Sequence, residues 1–437
     1  MLHLQIREWE QITYAENAAL AGLSFGGDVE SRGLAERLGA AGILEVVELR
    51  QGLSIRSTSY VGRIQLGDLQ ITIKPKIKHN VLLTLFRYAY RLGDLHRTTS
   101  SELDTDSGTF QDILIEQLIT EVTKLISRGL HRQYQRVEGS LAVSNGRIDM
   151  QKIARRGGMN SGDVPVTHHP RLEDNSINQV LLAGINLATS LTTDIALQSR
   201  LRRLVTRLSA GISPATLDFG SLTGIRHRLN RLTAHYEPGI TLIELLMLST
   251  GITLEAASRQ AALPGFLFDM NSFFERLLYR FLKENLPNYT VHDQYRLTGM
   301  MAYNPEHNPQ RRRSPTPRPD FVISDGERRI GILDAKYRDL WEQSLPRDML
   351  YQLAIYALSQ GWNGRSTILY PCVNSNSVPQ VIEINEAFAK ANKAHIILTP
   401  VNLNRLSELL QDENTSAHKK RAAYAESLVL GGVHATG

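Results

Sequence analysis

Apolar and polar residues alternate through Val61–Ile77 on either side of Gly67-Asp68, the pattern of a β-hairpin. The rest of residues 1–77 reads mostly as strand, and a short helix is predicted over Val81–Leu92. Leu95–Thr109 is polar and rich in Ser and Thr, as expected of a linker. At Phe110 the period changes: Phe110, Ile113, Leu114, Leu118, Ile119, Val122 and Leu125 fall on one side of a helix reaching about Leu130. Further helices are predicted over Asn178–Leu191, Ile195–Leu208 and Thr241–Leu248, with a Gly/Asn/Ser loop at Arg155–Val164. The last third alternates. A helix over Asn271–Glu284 buries Phe273, Phe274, Leu277, Leu278 and Phe281. Strands follow at Thr290–Arg296, Asp320–Ile323 and Arg328–Tyr337, then a helix over Arg347–Leu358, then strands at Ser366–Pro371 and Ala394–Leu398. This order predicts an α/β unit with a mixed sheet. The polar, then Gly-rich tail after Asp412 is expected to fray.

The predicted class is α+β multidomain. A β-rich N-terminal domain covers 1–105, an α-helical basic region 106–262 and an α/β domain 263–437. The 437 residues are 42% hydrophobic and 21% charged, with no apolar run near the ~20 residues that span a bilayer. No membrane association is expected. The only cysteine, Cys372, excludes an internal disulfide, and the early charges leave no signal-peptide core, so a cytoplasmic setting is expected. The net charge of +5 is uneven. Between Leu191 and His235, Arg200, Arg202, Arg203, Arg207, Arg226, Arg228 and Arg231 face only Asp194 and Asp218. Arg311, Arg312 and Arg313 form a second cluster. Acids barely interleave with the middle arginines, which points to phosphate contacts; the alternative is a solvated helical face.

The candidate chemistry lies in RPDFVISDGERRIGILDAKY, where Pro319-Asp320 precedes Asp334-Ala335-Lys336. Along a strand alternate side chains share a face, so Asp334 and Lys336 project side by side from the end of an apolar run. Two carboxylates suffice for Mg²⁺, with Mn²⁺ as a substitute, and the ion can activate water and offset phosphate charge. Asp320 must supply the second carboxylate. A two-residue loop at Asp325-Gly326 would turn it away from Asp334. A three-residue loop, Asp325-Gly326-Glu327, would pair it with Ile332 and put both acids on one face. Such a loop, or a bulge, is therefore predicted; without it the run is an ordinary charged hairpin.

Glu275 has two readings: partner of Ser272 in a capping box, or a further acid near the metal. Asp348, Gln352 and Tyr356 would share a helical face, which is either plain solvent-facing polarity or, for Gln352 and Tyr356, the mouth of a site touching the DNA backbone. There is no G-x-x-x-x-G-K-[ST] loop, so nucleotide hydrolysis is not expected of this chain, and no Cys/His zinc pattern exists.

Pro319-Asp320, Asp334-Ala335-Lys336 and Gln352-x-x-x-Tyr356 together resemble the RecB-like branch of the PD-(D/E)xK nucleases. The wider chain is similar to the McrC family, the nuclease subunit of McrBC-type restriction systems. The similar segments are Gly62–Ile77, Arg128–Tyr134, Asn145–Met150, Asn175–Ala188 and Phe268–Leu278. The resemblance implies a PD-(D/E)xK fold for the last domain and Mg²⁺-dependent DNA cleavage. It implies Asp320 and Asp334 as metal ligands, Lys336 as the catalytic lysine, and Glu275 as the acid of the first helix. It also implies a partner: a McrB-like AAA+ GTPase or ATPase hexamer, into which the N-terminal part docks and whose hydrolysis it stimulates. A non-catalytic adaptor of an AAA+ ATPase and a stand-alone repair nuclease are the alternatives.

Overall fold

A computed structural model describes residues 2–92, 110–141, 146–155, 163–252, 261–262, 265–326, 328–361, 364–374, 376–386, 392–412, 414 and 416–430. The fold is mixed α and β with several sheets. The chain clusters into two units, one made of Met1–Asp94 with Leu267–Gly437 and the other of Leu95–Phe266. The first and last thirds, separate in sequence, thus share one unit. The expected linker at Leu95–Thr109, with the expected boundary at 105/106, lies outside the described residues, as does most of the expected loop at Arg155–Val164.

In the first unit, Leu2–Arg7 pairs in parallel with Leu69–Lys74, which pairs antiparallel with Tyr60–Leu66 around the predicted Gly67-Asp68 turn. Gln11–Thr13, Gly52–Ser57 and Leu44–Leu49 form a second, three-stranded sheet. At Gly52 a Cβ would lie 2.2 Å from the Leu20 carbonyl oxygen, so only glycine fits there. The helix Val29–Ala40 was not expected from the sequence. Its inward face is thin (Ser31, Leu34, Ala35 and Leu38), and its start is set by Asp28, whose carboxylate accepts from the Ser31 N–H.

The rest of this unit is built on a six-stranded mixed sheet. Its order is Thr290–Asp293, Phe321–Asp325, Arg328–Ala335, Gly364–Cys372, Asn392–Asn402, Gln380–Asn385. The two central pairings are parallel and the outer ones antiparallel. Helix Arg347–Leu358 forms where predicted and carries the chain between the first two parallel strands. Its Leu353 and Tyr356 join Val322, Ile332, Ile368, Tyr370, Ile396 and Leu398 in one buried layer. Helix Met270–Asn285 buries Phe273, Phe274, Leu277, Leu278 and Phe281, as its period predicted. The expectation of a fraying tail is corrected in part. Ala417–Leu430 is a helix, with Tyr424 edge-on to Phe281 and its hydroxyl accepting from the Asn402 N–H. Residues 431–437 lie outside the described set.

The second unit packs helices Phe110–Arg128, Ser176–Leu191, Ile195–Ser209, Phe219–Arg228 and Glu237–Thr250 around Leu114, Leu118, Val122, Leu181, Ile185, Leu242 and Leu246. A Cβ on Gly184 would stand 2.3 Å from Ile243, so the glycine lets two helices approach. Short strands between Gln133 and Leu172 were not predicted. Among the described residues of these strands Val166 is the one large aliphatic side chain that is buried, too few for a visible period. Polar side chains at either end of this stretch are tied together. The Tyr236 hydroxyl accepts from the His131 N–H at 2.7 Å and donates to Asn178 Oδ1 at 2.9 Å, while the Asn175 and Asn178 amides donate to the His131 carbonyl.

Candidate active site

The two strands that carry the aspartates are antiparallel and bulged. Asp325 faces Arg328 and Ser324 faces Arg329. Past a register shift at Ile323/Ser324, Ile323 faces Gly331, Val322 faces Ile332 and Phe321 faces Leu333. Continuing that register brings Asp320 opposite Asp334, two residues beyond the Ile332 partner expected from a three-residue loop. The displacement is even, so the acids still share a face. Glu327, the last residue of the expected loop, lies outside the described residues; the bulge supplies the offset.

The three charged groups then converge. Lys336 Nζ lies 3.0 Å from Asp334 Oδ2 and 3.6 Å from Asp320 Oδ2. The Ala335 N–H donates to Asp320 Oδ2 at 2.8 Å, which locks one aspartate to the backbone of the other's strand. Asp320 and Asp334 are 7% and 3% exposed, depths at which carboxylates are kept only with specific partners. Burial, then the neighbouring Asp320, pushes the Asp334 carboxyl up to about 6 against the pull of Lys336. Burial pulls the Lys336 ammonium down, but Asp334 and Asp320 outweigh it and hold it above the usual lysine range.

Glu275 faces the same cluster. Burial, with Asp320 adding to it, pushes its carboxyl up to about 7, and Lys336 works in the opposite direction. The capping-box reading is corrected: the helix begins one turn earlier, Asp269 is the N-cap, and Ser272 donates to Asp269 Oδ2 at 2.7 Å. Glu275 therefore sits in the second turn, free of any capping role. On helix Arg347–Leu358, Asp348 is exposed, Gln352 half-buried and Tyr356 buried. Gln352 Nε2 donates to the Tyr356 hydroxyl at 3.0 Å, and Asp334 and Asp320 act on that hydroxyl after burial in raising its pKa.

One neighbour was not foreseen. Strand Thr290–Asp293 stops three residues before the expected end at Arg296, and the next residue, Gln294, lies in the left-handed region at φ 48°. Its N–H donates to the Asp320 carbonyl at 2.8 Å and its Nε2 to Asp320 Oδ1 at 3.4 Å, while Arg318 Nε donates to its carbonyl at 3.0 Å. No pattern in the sequence marks a glutamine for this conformation.

The arginines divide. Arg200 is paired with Glu116 at 2.6 Å, and Arg226 with Glu244, on neighbouring helices. The scarcity of acids near these two held only along the sequence; folding supplies the partners. Arg202, Arg203, Arg207, Arg228 and Arg231 are exposed in the second unit, and Arg311, Arg312 and Arg313 in the first. Arg202 and Arg203 line a shallow groove of about 550 Å³ with Ile195, Gln198, Ser199 and Thr206.

The model of the McrBC 5-methylcytosine restriction system component family matches residues 55–371. None of the curated proteins matches. Among solved structures, the chain is similar to one in a refined half-complex from a tetradecameric assembly of Thermococcus gammatolerans McrB AAA+ hexamers with bound McrC. The match has 19% identity and a TM-score of 0.64, over 98% of this chain and 100% of the other. A second match, from the cryo-EM structure of the Thermococcus gammatolerans McrBC complex, has 20% identity and a TM-score of 0.46 over 66% of this chain and 89% of the other. At such identity the first likeness speaks to the fold; the family is given by the sequence match, which spans well over half of the chain. This chain belongs to the McrBC 5-methylcytosine restriction system component family.

Proposed function

We propose that the chain is the DNA-cutting subunit of a McrBC-like restriction system, a Mg²⁺-dependent endonuclease with a PD-(D/E)xK-type nuclease domain that works with an AAA+ NTPase. The observation that carries this reading is that Asp320, just ahead of strand Phe321–Asp325, falls opposite Asp334 when the strand register is continued, with Lys336 ion-paired to both. Three acids (Glu275, Asp320 and Asp334) act on one lysine here, and burial first, then repulsion from Asp320, raises the Asp334 and Glu275 carboxyls against the pull of Lys336. A divalent cation fits such a site. Among the described residues no group of three or more His, Cys, Asp or Glu could enclose an ion, so water and the DNA would complete its shell.

Asp320 and Asp334 would hold the ion, and Mn²⁺ would serve in place of Mg²⁺. Bound there, it supplies positive charge to the scissile phosphate and lowers the pKa of nearby water. The Lys336 ammonium stays protonated at neutral pH, because both aspartates favour its charge. It therefore acts as a hydrogen-bond donor, orienting the attacking water and stabilising charge that develops on the phosphate oxygens. Glu275, poised near neutrality, is suited to accept a proton. Gln352 fixes the Tyr356 hydroxyl beside the carboxylates and, being half-exposed, is placed to touch the DNA backbone.

Family membership supports an AAA+ partner, and the assembly of McrB hexamers with bound McrC in the structural relative supports a McrB-like hexamer. The missing G-x-x-x-x-G-K-[ST] loop agrees with a motor on another chain. Residues of the N-terminal module would dock to that motor and stimulate it, and the exposed arginines would contact phosphates of double-stranded DNA. The test is plasmid cleavage with Mg²⁺, with and without the partner NTPase and GTP or ATP. Cutting that requires partner and nucleotide supports the proposal. Cutting without them favours a repair nuclease. Stimulated nucleotide hydrolysis without cutting makes the chain an adaptor and overturns the proposal.

A further inference from the structure

The residue after the lysine is anchored from the far end of the sequence. Strand Arg328–Ala335 stops one residue before Lys336, whose N–H still donates to the Leu369 carbonyl at 3.0 Å. Its own carbonyl accepts from the Arg338 N–H at 2.8 Å, and the Tyr337 N–H donates to Asn271 Oδ1 at 3.1 Å. Tyr337 is buried, edge-on to Phe274, and its hydroxyl donates to Glu8 Oε1 at 2.9 Å. That oxygen also accepts from the Lys76 N–H at 2.7 Å, and the Glu8 N–H donates to the Lys74 carbonyl. Glu8 is 1% exposed, and among the described residues its second oxygen, Oε2, has no hydrogen-bond partner. An acid buried with an unfilled oxygen costs stability that an apolar residue of similar size would not. Stability therefore does not explain why a glutamate stands there.

Its geometry does. Asn271, the other anchor of Tyr337, donates through Nδ2 to Ser59 Oγ at 2.8 Å, and the Met270 N–H donates to the Ser59 carbonyl. The N-terminal sheets thus grip both the backbone and the side chain of the residue next to Lys336. Tyr337 shares a peptide bond with Lys336, so fixing its backbone N–H and its side chain fixes the peptide from which Lys336 projects. We propose that Glu8 and Tyr337 form a buried positioning pair that holds the Lys336 ammonium between Asp320 and Asp334. This rests on the nuclease reading for its consequence in catalysis, though not for the placement of the lysine. A lysine let go by about 1 Å loses on the order of 10²-fold in rate.

The test uses the full chain as Tyr337→Phe, Glu8→Gln and Glu8→Leu variants. Tyr337→Phe keeps the ring and removes the hydroxyl; Glu8→Gln keeps the accepting oxygen; Glu8→Leu removes it. Two quantities are read. Reductive methylation of each lysine by formaldehyde and cyanoborohydride, followed by mass spectrometry, reports the freedom of Lys336 without metal, DNA or partner. Cleavage kinetics with Mg²⁺, partner NTPase and nucleotide report turnover. Tyr337→Phe and Glu8→Leu are expected to raise Lys336 methylation several-fold relative to Lys124, and to lower kcat by about 10–100-fold with KM unchanged. Glu8→Gln is expected to match the wild type in both. Unchanged methylation in Tyr337→Phe overturns the positioning role, and so does Glu8→Gln behaving like Glu8→Leu. Raised methylation with normal turnover overturns the link to catalysis. If methylation shifts as expected while the wild-type chain cuts nothing, the positioning pair stands and the nuclease reading falls.

Discussion

Replacing Asp334 with asparagine removes a negative charge from a side chain that folding takes almost wholly out of water. Two effects oppose each other. The substitution loses the 3.0 Å ion pair with Lys336, and it relieves both burial of a charge and repulsion by Asp320. The carboxyl is pushed up from 3.8 to about 6 with Lys336 already in place, so burial and repulsion win. At about 1.4 kcal/mol per pKa unit, the ionised folded state is disfavoured by about 3 kcal/mol relative to the protonated one. The folded state holds a proton that the unfolded chain has already lost. Stability is therefore shed as pH rises from the unfolded value through about 6, and the full penalty applies above it. The amide introduced by Asp334→Asn carries no charge in either state and escapes this. Urea unfolding of the metal-free chain in EDTA should find Asp334→Asn more stable by about 3 kcal/mol at pH 8, and by about half that at pH 5. Mg²⁺ should narrow the gap by stabilising the wild type alone, since binding to the folded state adds stability by mass action. A variant no more stable than the wild type at pH 8, or a gap that ignores pH, would refute the reasoning and show that the Lys336 pair outweighs burial.

Glu8→Gln should behave alike, here without a repelling acid: burial pushes Glu8 up to about 7, so the amide should gain about 3 kcal/mol at pH 8 and nothing below about pH 4 in urea unfolding. Gln294→Gly should relieve left-handed strain of about 1 kcal/mol yet slow cleavage, because the donor to Asp320 is lost; a Tm series beside single-turnover rates separates the two. The double variant Arg202→Ala with Arg203→Ala should weaken DNA binding in a salt titration and lower the salt slope by about 2, whereas Arg200→Ala should cost stability through its Glu116 pair and leave the slope alone.

Periodicity made the frame legible. Helix Arg347–Leu358 and the phenylalanine face of Met270–Asn285 repeat strongly enough to be read from apolar spacing. The shared face of Asp320 and Asp334 was legible too, because it follows from alternation and the need for an offset turn. The size of the offset was not, since a bulge depends on how two strands pair rather than on either one. Helix Val29–Ala40 was hidden by its thin apolar stripe. Glu275 was obscured by a plausible cap three residues before it, until Asp269 took that role in the fold. Glu8 had no local signal: its partner Tyr337 is 329 residues away, and only the joining of the first and last thirds into one unit brings them together. Arg200 and Arg226 looked free for the same reason, their acids lying on other helices.

The central claim is that Asp334 and Lys336 serve a divalent-metal phosphodiesterase. It is tested most directly by single-turnover plasmid cleavage with Mg²⁺, the partner NTPase and nucleotide, comparing wild type with Asp334→Ala and Lys336→Ala, each shown to fold and to bind the partner. The account predicts cutting by the wild-type chain and none by either variant. Cutting at the wild-type rate by either one would contradict it.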